Sequence, residues 1–434
     1  MNKTLFEMLK IVSPEIGLIK NFVGLLRMNG DPKLLGYGVL PLDVNYIRNN
    51  RSKHKELNYT VKGSGCGYNW EQALLSTTGE VIERYSSGFF DNSTLIISPY
   101  NNLKEEAIHP SQYALFHKKQ YEDLNFQIKE FTENLEVTWT KTLDLTTGKE
   151  VYCPAQHIFL PFYNDRNIIN LTTSTGLSSH SNIYQAILNC IYESIERDSF
   201  VMTWMQNIVP PKIKITHDIQ SFINKYFSNN IEFHLFDMTY DIEMPTTLGF
   251  CVGESEYGKF IATAAASRSS YRESLEKTIL ELGQSVPFFR WQLEEKKDWN
   301  PQSFNQIKEF DDHPIFYQKR PDLWHVYDKF LTAKETKTVN FENKFEGDKK
   351  EEIRRIVQIF KDKNYNVLFK DLTTVDMAEL GIYVVRVLVP QLLQLGGIYP
   401  YYYLGGKRLY EVPESLGYTA HDFDLLNPYP HPFP

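Results

Sequence analysis

The sequence predicts a mixed α/β (α+β) fold built from internally duplicated helix and sheet units. Three observations predict it. Helix-like and strand-like segments alternate along most of the chain. A polar residue followed by Glu four positions on, and by Glu or Gln seven positions on, occurs three times: Ser76/Glu80/Glu83, Asn189/Glu193/Glu196 and Lys277/Glu281/Gln284. Two strand exits also resemble each other, Phe236-Asp237-Met238-Thr239 and Lys370-Asp371-Leu372-Thr373, which is a mark of duplication.

Residues 1–60 read as an N-terminal segment, an amphipathic helix followed by polar loop that ends in Arg48-Asn49-Asn50-Arg51-Ser52-Lys53. A Gly-rich turn, Gly63-Ser64-Gly65-Cys66-Gly67, leads into a helix near 70–87. Residues 136–162 read as a hairpin around Thr146-Thr147-Gly148. The second motif helix is expected over 182–206, a strand at Glu232–Asp237, further strand to about 266, and the third motif helix near 270–287. Residues 294–350 are charged and irregular and are expected to form a surface insertion. Helix 349–363, strand 365–370 and the strand from Tyr383 to Val389 close the globular part, so that 61–427 form one catalytic-sized domain and 428–434 a tail.

Bulk properties narrow the function. A chain of 434 residues, 42% hydrophobic and 23% charged, can bury a large core and is not disordered. A net charge of −8 lacks the basic footprint of a sequence-independent nucleic-acid binder. No apolar run is long enough to span a bilayer, and the acidic start Met1-Asn2-Lys3-Thr4-Leu5-Phe6-Glu7 lacks a signal-peptide layout. A cytoplasmic protein without nucleic-acid or membrane partners is expected. Cys66, Cys153, Cys190 and Cys251 are too scattered for a zinc motif or a disulfide framework.

On a helix, offsets of 0, 4 and 7 fall on one face, because each residue advances about 100°. Glu80–Arg84 and Glu193–Arg197 could be ordinary solvated i,i+4 pairs. Two observations favour a site instead. The three helices are apolar around most of their circumference, with Val81, Ile82, Ile187, Leu188, Ile191, Leu275, Ile279 and Leu282, so their carboxylates enter a costly environment. The spacing also occurs three times. Carboxylate ligands without Cys or His select a hard cation such as magnesium, which shares its shell with phosphate. Arg84, Arg197 and Lys277 can then contact phosphate oxygens. The inferred site is a metal-bridged nucleoside triphosphate held without a Walker loop.

Ser76-xxx-Glu80-xx-Glu83-Arg84, Gly176-Leu177, Gln185-Ala186-Ile187-Leu188 running into Glu193-Ser194-Ile195-Glu196-Arg197-Asp198, and Lys277-xxx-Glu281-xx-Gln284 together resemble the YcaO superfamily over roughly residues 60–434. The resemblance implies a YcaO-type fold around a central nucleotide site. It also implies an ATP- and Mg2+-dependent cyclodehydratase that activates backbone amides of a ribosomal peptide and forms thiazoline or oxazoline from Cys, Ser or Thr. It places metal ligands at Glu80, Glu83, Glu193, Glu196 and Glu281. Nucleotide and phosphate contacts fall on Ser76, Arg84, Ser181, Gln185, Arg197, Lys277 and Gln284. Departures from the pattern are Gly65-Cys66-Gly67 where many members carry Lys (with Lys62 nearby), and Lys277 where Arg is commoner. Backbone thioamidation and a non-catalytic ATP-binding scaffold are the alternative readings.

The chain closes on Pro428-Tyr429-Pro430-His431-Pro432-Phe433-Pro434, whose alternate prolines favour a stiff polyproline II segment. By resemblance to azoline-forming members the tail reaches the active site, which assigns a catalytic role to Pro432, Pro434 and His431; a stiff tail can present His431 or a terminal carboxylate as a base. At this length, the resemblance is to the stand-alone catalytic component. It implies a leader-binding, ubiquitin-activating-enzyme-like partner, a ribosomally made precursor peptide, a flavin-dependent azoline dehydrogenase, and a homodimer within a hetero-complex.

Overall fold

A computed structural model describes residues 2–42, 61–340 and 347–433; the polar run Arg48–Lys53 and Pro434 lie outside them. Three sheets carry fourteen strands among the described residues. The first contains β1 (Ile19–Gly24), β2 (Leu35–Pro41) and β3 (Ser64–Gly67). The second contains β4 (Ile96–Ser98), β5 (Val137–Asp144), β6 (Lys149–Pro154), β7 (Leu177–His180), β13 (Leu368–Asp371) and β14 (Tyr383–Leu388). The third contains β8 (Lys212–Ile213), β9 (Glu232–Asp237), β10 (Thr246–Ser255), β11 (Gly258–Ser267) and β12 (Glu335–Lys337). Helices are α1 (Lys3–Met8), α2 (Trp70–Ser86), α3 (Lys118–Tyr121), α4 (Ile183–Met205), α5 (His217–Tyr226), α6 (Tyr271–Glu295), α7 (Asp312–Lys319), α8 (Asp328–Leu331), α9 (Lys349–Asp362), α10 (Val375–Glu379) and α11 (Arg408–Ser415). No helix among the described residues is long and apolar enough to cross a membrane.

The expected duplication is a triplication. One antiparallel strip of three strands, followed by a helix from its edge, recurs as β1-β2-β3 with α2, β13-β14-β7 with α4, and β9-β10-β11 with α6. Each motif helix opens identically. Asn69, Asn182 and Ser270 are N-caps whose side chains accept from the backbone N–H of Gln72, Gln185 and Glu273, satisfying a donor that the first turn leaves free. Counted from the cap, Ser76, Asn189 and Lys277 occupy one position; Glu80, Glu193 and Glu281 the next; Glu83, Glu196 and Gln284 the last. The two similar strand exits are equivalent turns. Thr239 N donates to Asp237 Oδ1 at 3.0 Å and Thr373 N to Asp371 Oδ1 at 2.9 Å, closing Asx turns at the ends of β9 and β13.

Two expectations need correction. The Gly63–Gly67 run is not a turn, for Ser64–Gly67 form β3. Its glycines let the strand lie against α2: a Cβ on Gly65 would stand 2.3 Å from Thr77 N, and one on Gly67 2.6 Å from Ala73 N. Nor is 294–350 wholly a surface insertion. Ile307, Phe316 and Phe330 are fully buried and, with Tyr317 and Tyr327, belong to the core around Trp204 and Phe250, while Ile315, also fully buried, packs with Leu282 and Phe289 in a neighbouring cluster. Their apolar side chains alternate with charges, which hid them from a composition-based reading. The N-terminal segment likewise supplies a whole strand pair, β1-β2.

The second motif helix is fixed along its length. Cys190, Ile191 and Ile195 pack beside Val385, Val387 and Phe360. Asp198, adjoining the motif, accepts from Arg408 Nε at 3.0 Å and Nη2 at 2.7 Å and from Leu393 N at 2.8 Å, and Arg408 also bonds Asp241. Removing one member of such a buried ionic set strands the others, at about 3–5 kcal/mol. All four cysteines are buried free thiols.

Candidate functional site

The polar stripes of the three motif helices face one cavity of about 570 Å³. All nine stripe positions line it, from Ser76, Glu80 and Glu83 through Asn189, Glu193 and Glu196 to Lys277, Glu281 and Gln284, together with Arg84 and Arg197. The helical spacing read from the sequence therefore converges in space.

Backbone donors hold the carboxylates of the first two helices. Ser64 N donates to Glu80 Oε2 at 2.7 Å, Ser179 N to Glu83 Oε1 at 2.7 Å, and Gly176 N to Glu193 Oε2 at 2.9 Å. Gly176 has φ +81°, and a Cβ there would stand 2.3 Å from Val387 O, so the donor's position demands glycine. Arg84 binds Glu80 at 2.6 Å, Lys277 lies 3.0 Å from Glu281, and Arg197 lies 3.8 Å from Glu193 and 3.6 Å from Glu196.

Burial pushes Glu83 up to about 8, with the charges of Glu80 and Glu193 adding to the rise. It pushes Glu196 up to about 8 as well, against the lowering influence of Arg197. Glu193 is raised for the same reason. Carboxylates raised chiefly by burial, with like charges adding to the rise, are an unfavourable arrangement that a divalent cation would relieve. An all-oxygen donor set is the kind a hard ion takes, although among the described residues no three His, Cys, Asp or Glu side chains stand together as a ready-made ion cage. The five glutamates to which the resemblance assigns the metal, Glu80, Glu83, Glu193, Glu196 and Glu281, all line the cavity.

The other sequence-derived positions divide. Ser181 and Gln185 are not among the lining residues; Ser181 accepts from Thr4, while Gln185 bonds Asn189 at 2.9 Å and Lys349. The tail reaches the cavity, but through Phe433, whose ring lies 4.4 Å from the Arg197 guanidinium. His431 is displaced from its expected role. It is buried, its ring stacks on His313 at 3.8 Å and its Nε2 bonds Gly396 O at 2.7 Å. Burial holds it well below the ordinary histidine range, so it anchors the tail rather than facing a reactant. Pro432 is buried beside it, and Tyr317 Oη and Trp204 Nε1 hold the carbonyls of Pro430 and Tyr429.

Several lining residues escaped the sequence reading: Ser178, Ser179, Thr263, Arg268, Phe288, Phe310, Asp311 and Phe433. They come from strand ends, from beyond the third motif and from the supposed insertion, so no single spacing links them. Cys66 is buried in β3 near Lys277 and Glu281, and burial pushes its thiol up to about 12. It offers no charge to a phosphate.

A sequence model of one family, described as YcaO cyclodehydratase, ATP- and Mg2+-binding, matches residues 64–393. No curated protein matches the sequence. Among solved structures, a heterocyclase in complex with substrate and cofactor is similar with a TM-score of 0.79 at 21% identity, covering 99% of this chain and 57% of its own. YcaO from Methanopyrus kandleri bound with AMPPCP and Mg2+ gives 0.58 at 15%, covering 87% and 86%. The E. coli microcin synthetase McbBCD complex with pro-MccB17 bound gives 0.55 at 14%, covering 89% and 92%. At these identities the likeness is one of fold. The chain spans about half the length of the heterocyclases it matches, 57% of one and 50% of the heterocyclase TruD.

Proposed function

Since the chain belongs to the YcaO cyclodehydratase family, which binds ATP and Mg2+, we propose that it is the ATP-dependent subunit that cyclises Cys, Ser or Thr of a ribosomal precursor peptide onto the preceding amide, giving thiazoline or oxazoline. The observation that supports this most is the convergence of all nine stripe positions and the tail's Phe433 on one cavity. Bound nucleotide and magnesium supply an electrophilic phosphoryl group and the charge neutralisation that turn an amide oxygen into a leaving group. This chain's residues do the rest. Glu80, Glu83 and Glu193 are preset by backbone donors, which spares reorganisation when the cation binds. Arg84, Arg197 and Lys277 can turn from glutamate to phosphate. The seated tail, with Phe433 against Arg197, narrows the cavity and excludes water from the reacting amide.

In this reading a leader-binding partner and the precursor peptide complete the reaction, and a flavin-dependent dehydrogenase oxidises the product. The test is incubation of the chain with such a partner, its precursor, ATP and Mg2+, read by mass spectrometry. Loss of one water per modified residue is expected. Gain of sulfur for oxygen would indicate thioamidation, and an unmodified peptide with bound nucleotide would indicate a scaffold. Removing Pro432–Pro434 is expected to impair cyclisation more than nucleotide binding; equal loss of both would remove the tail from the chemistry.

A further inference from the structure

Four cationic side chains line the cavity: Arg84, Arg197, Lys277 and Arg268. The first three each face a carboxylate of their own helix, Glu80, Glu193 and Glu281. Among the described residues Arg268 makes no ion pair within 4 Å. Its Nη1 donates to Ser267 O at 2.6 Å and its guanidinium lies 5.6 Å from the centre of the Tyr192 ring. These contacts aim the group and leave further donors for an anion.

The threefold design explains why it stands there. In α2 and α4 the last carboxylate of the stripe is followed at once by arginine, Arg84 and Arg197; in α6 the same position is Ser285. The third unit differs in its loop as well. Between strand end and N-cap the first two units place one residue, Tyr68 or Ser181, whereas the third places two, Arg268 and Ser269. Arg268 N is held by Pro245 O at 3.0 Å at the end of β11, so the side chain rises from a fixed strand end.

We propose that Arg268 is a phosphate-binding residue of the nucleotide site, supplying from the third unit's loop the guanidinium that α6 lacks. Its ligand class is the polyphosphate chain of a magnesium nucleotide. The proposal rests on nucleotide binding and needs no peptide, so its failure and the failure of the cyclodehydration reading are distinguishable.

Arg268→Met keeps an unbranched side chain and removes the charge. Calorimetric titration of the full chain with Mg2+ and AMPPCP is expected to show roughly 10-fold weaker binding in this variant, from loss of a charge-assisted contact. The fall of affinity with salt should also be shallower than in the parent chain, because one fewer ionic contact is screened. Unchanged AMPPCP affinity would overturn the proposal. So would weaker binding that keeps the parent salt dependence and comes with a lower melting temperature, since that is the signature of a structural role.

Discussion

Helices α2 and α4 share a cap, a stripe and a strand strip with α6, yet they differ from it in charge. In its stripe each of the first two carries two glutamates followed by arginine; the stripe of α6 carries Lys277, one glutamate and Gln284, followed by Ser285. The last glutamate of the stripe is the one that burial pushes up to about 8 in both α2 and α4, and a neutral amide replaces it in α6. One scaffold repeated three times thus gives two stripes with two glutamates each and a third in which Lys277 stands beside a single glutamate, Glu281. The difference teaches that the fold copies the position of a side chain, while the residue type at that position decides which part of a metal-bridged phosphate it can meet.

Substitutions that erase the difference should have the largest effect. Glu83→Gln or Glu196→Gln makes a two-glutamate stripe resemble the third, and ATP-dependent turnover should fall by about 100-fold or more while the circular dichroism spectrum is retained. Wild-type turnover in either variant would remove that glutamate from the metal set. Next comes the third stripe: Lys277→Met should weaken AMPPCP binding by roughly 10-fold, with Lys277→Arg retaining most of it.

A pH effect follows on stability. Glu83 and Glu196 have folded values above the ordinary 4.5, so the folded state binds more protons than the unfolded state between that value and about 8. Stability of the metal-free protein should therefore be greatest at low pH within this window and decline as pH rises through about 8. Each tenfold difference in proton affinity between the two states corresponds to about 1.4 kcal/mol. Melting temperatures measured from pH 5 to 8.5 should fall less steeply in Glu83→Gln. A melting temperature that rises across the window in the parent chain would contradict this electrostatic picture.

The smallest effects belong to Ser181→Ala and Gln185→Ala, which sit outside the lining; AMPPCP affinity should change by less than about 2-fold, as for surface substitutions away from a contact. A loss as large as that of Lys277→Met would instead place them in the nucleotide site.

The stripes were legible in the sequence because helical offsets are local: the eight residues from 76 to 83 suffice to put Ser76, Glu80 and Glu83 on one face. The similar exits after β9 and β13 were legible for the same reason. The first strip was not, since Gly65 and Gly67 look like a turn until α2 is packed against them. Arg268, Phe310 and Asp311 reach the cavity only through tertiary packing, and no spacing within a window points to them. His431 misled because a histidine in a functional tail resembles a base, whereas its stacking on His313 depends on a contact 118 residues away in sequence.

The central claim is that α2 and α4, with Glu281 of α6, bind a cation through which Lys277 and the arginines hold a nucleotide. AMPPCP titrated into the chain with Mg2+, and again with EDTA, tests it directly. Binding is expected with Mg2+, and should be lost on chelation and strongly weakened in Glu196→Gln. Equal affinity in Mg2+ and EDTA would contradict the account.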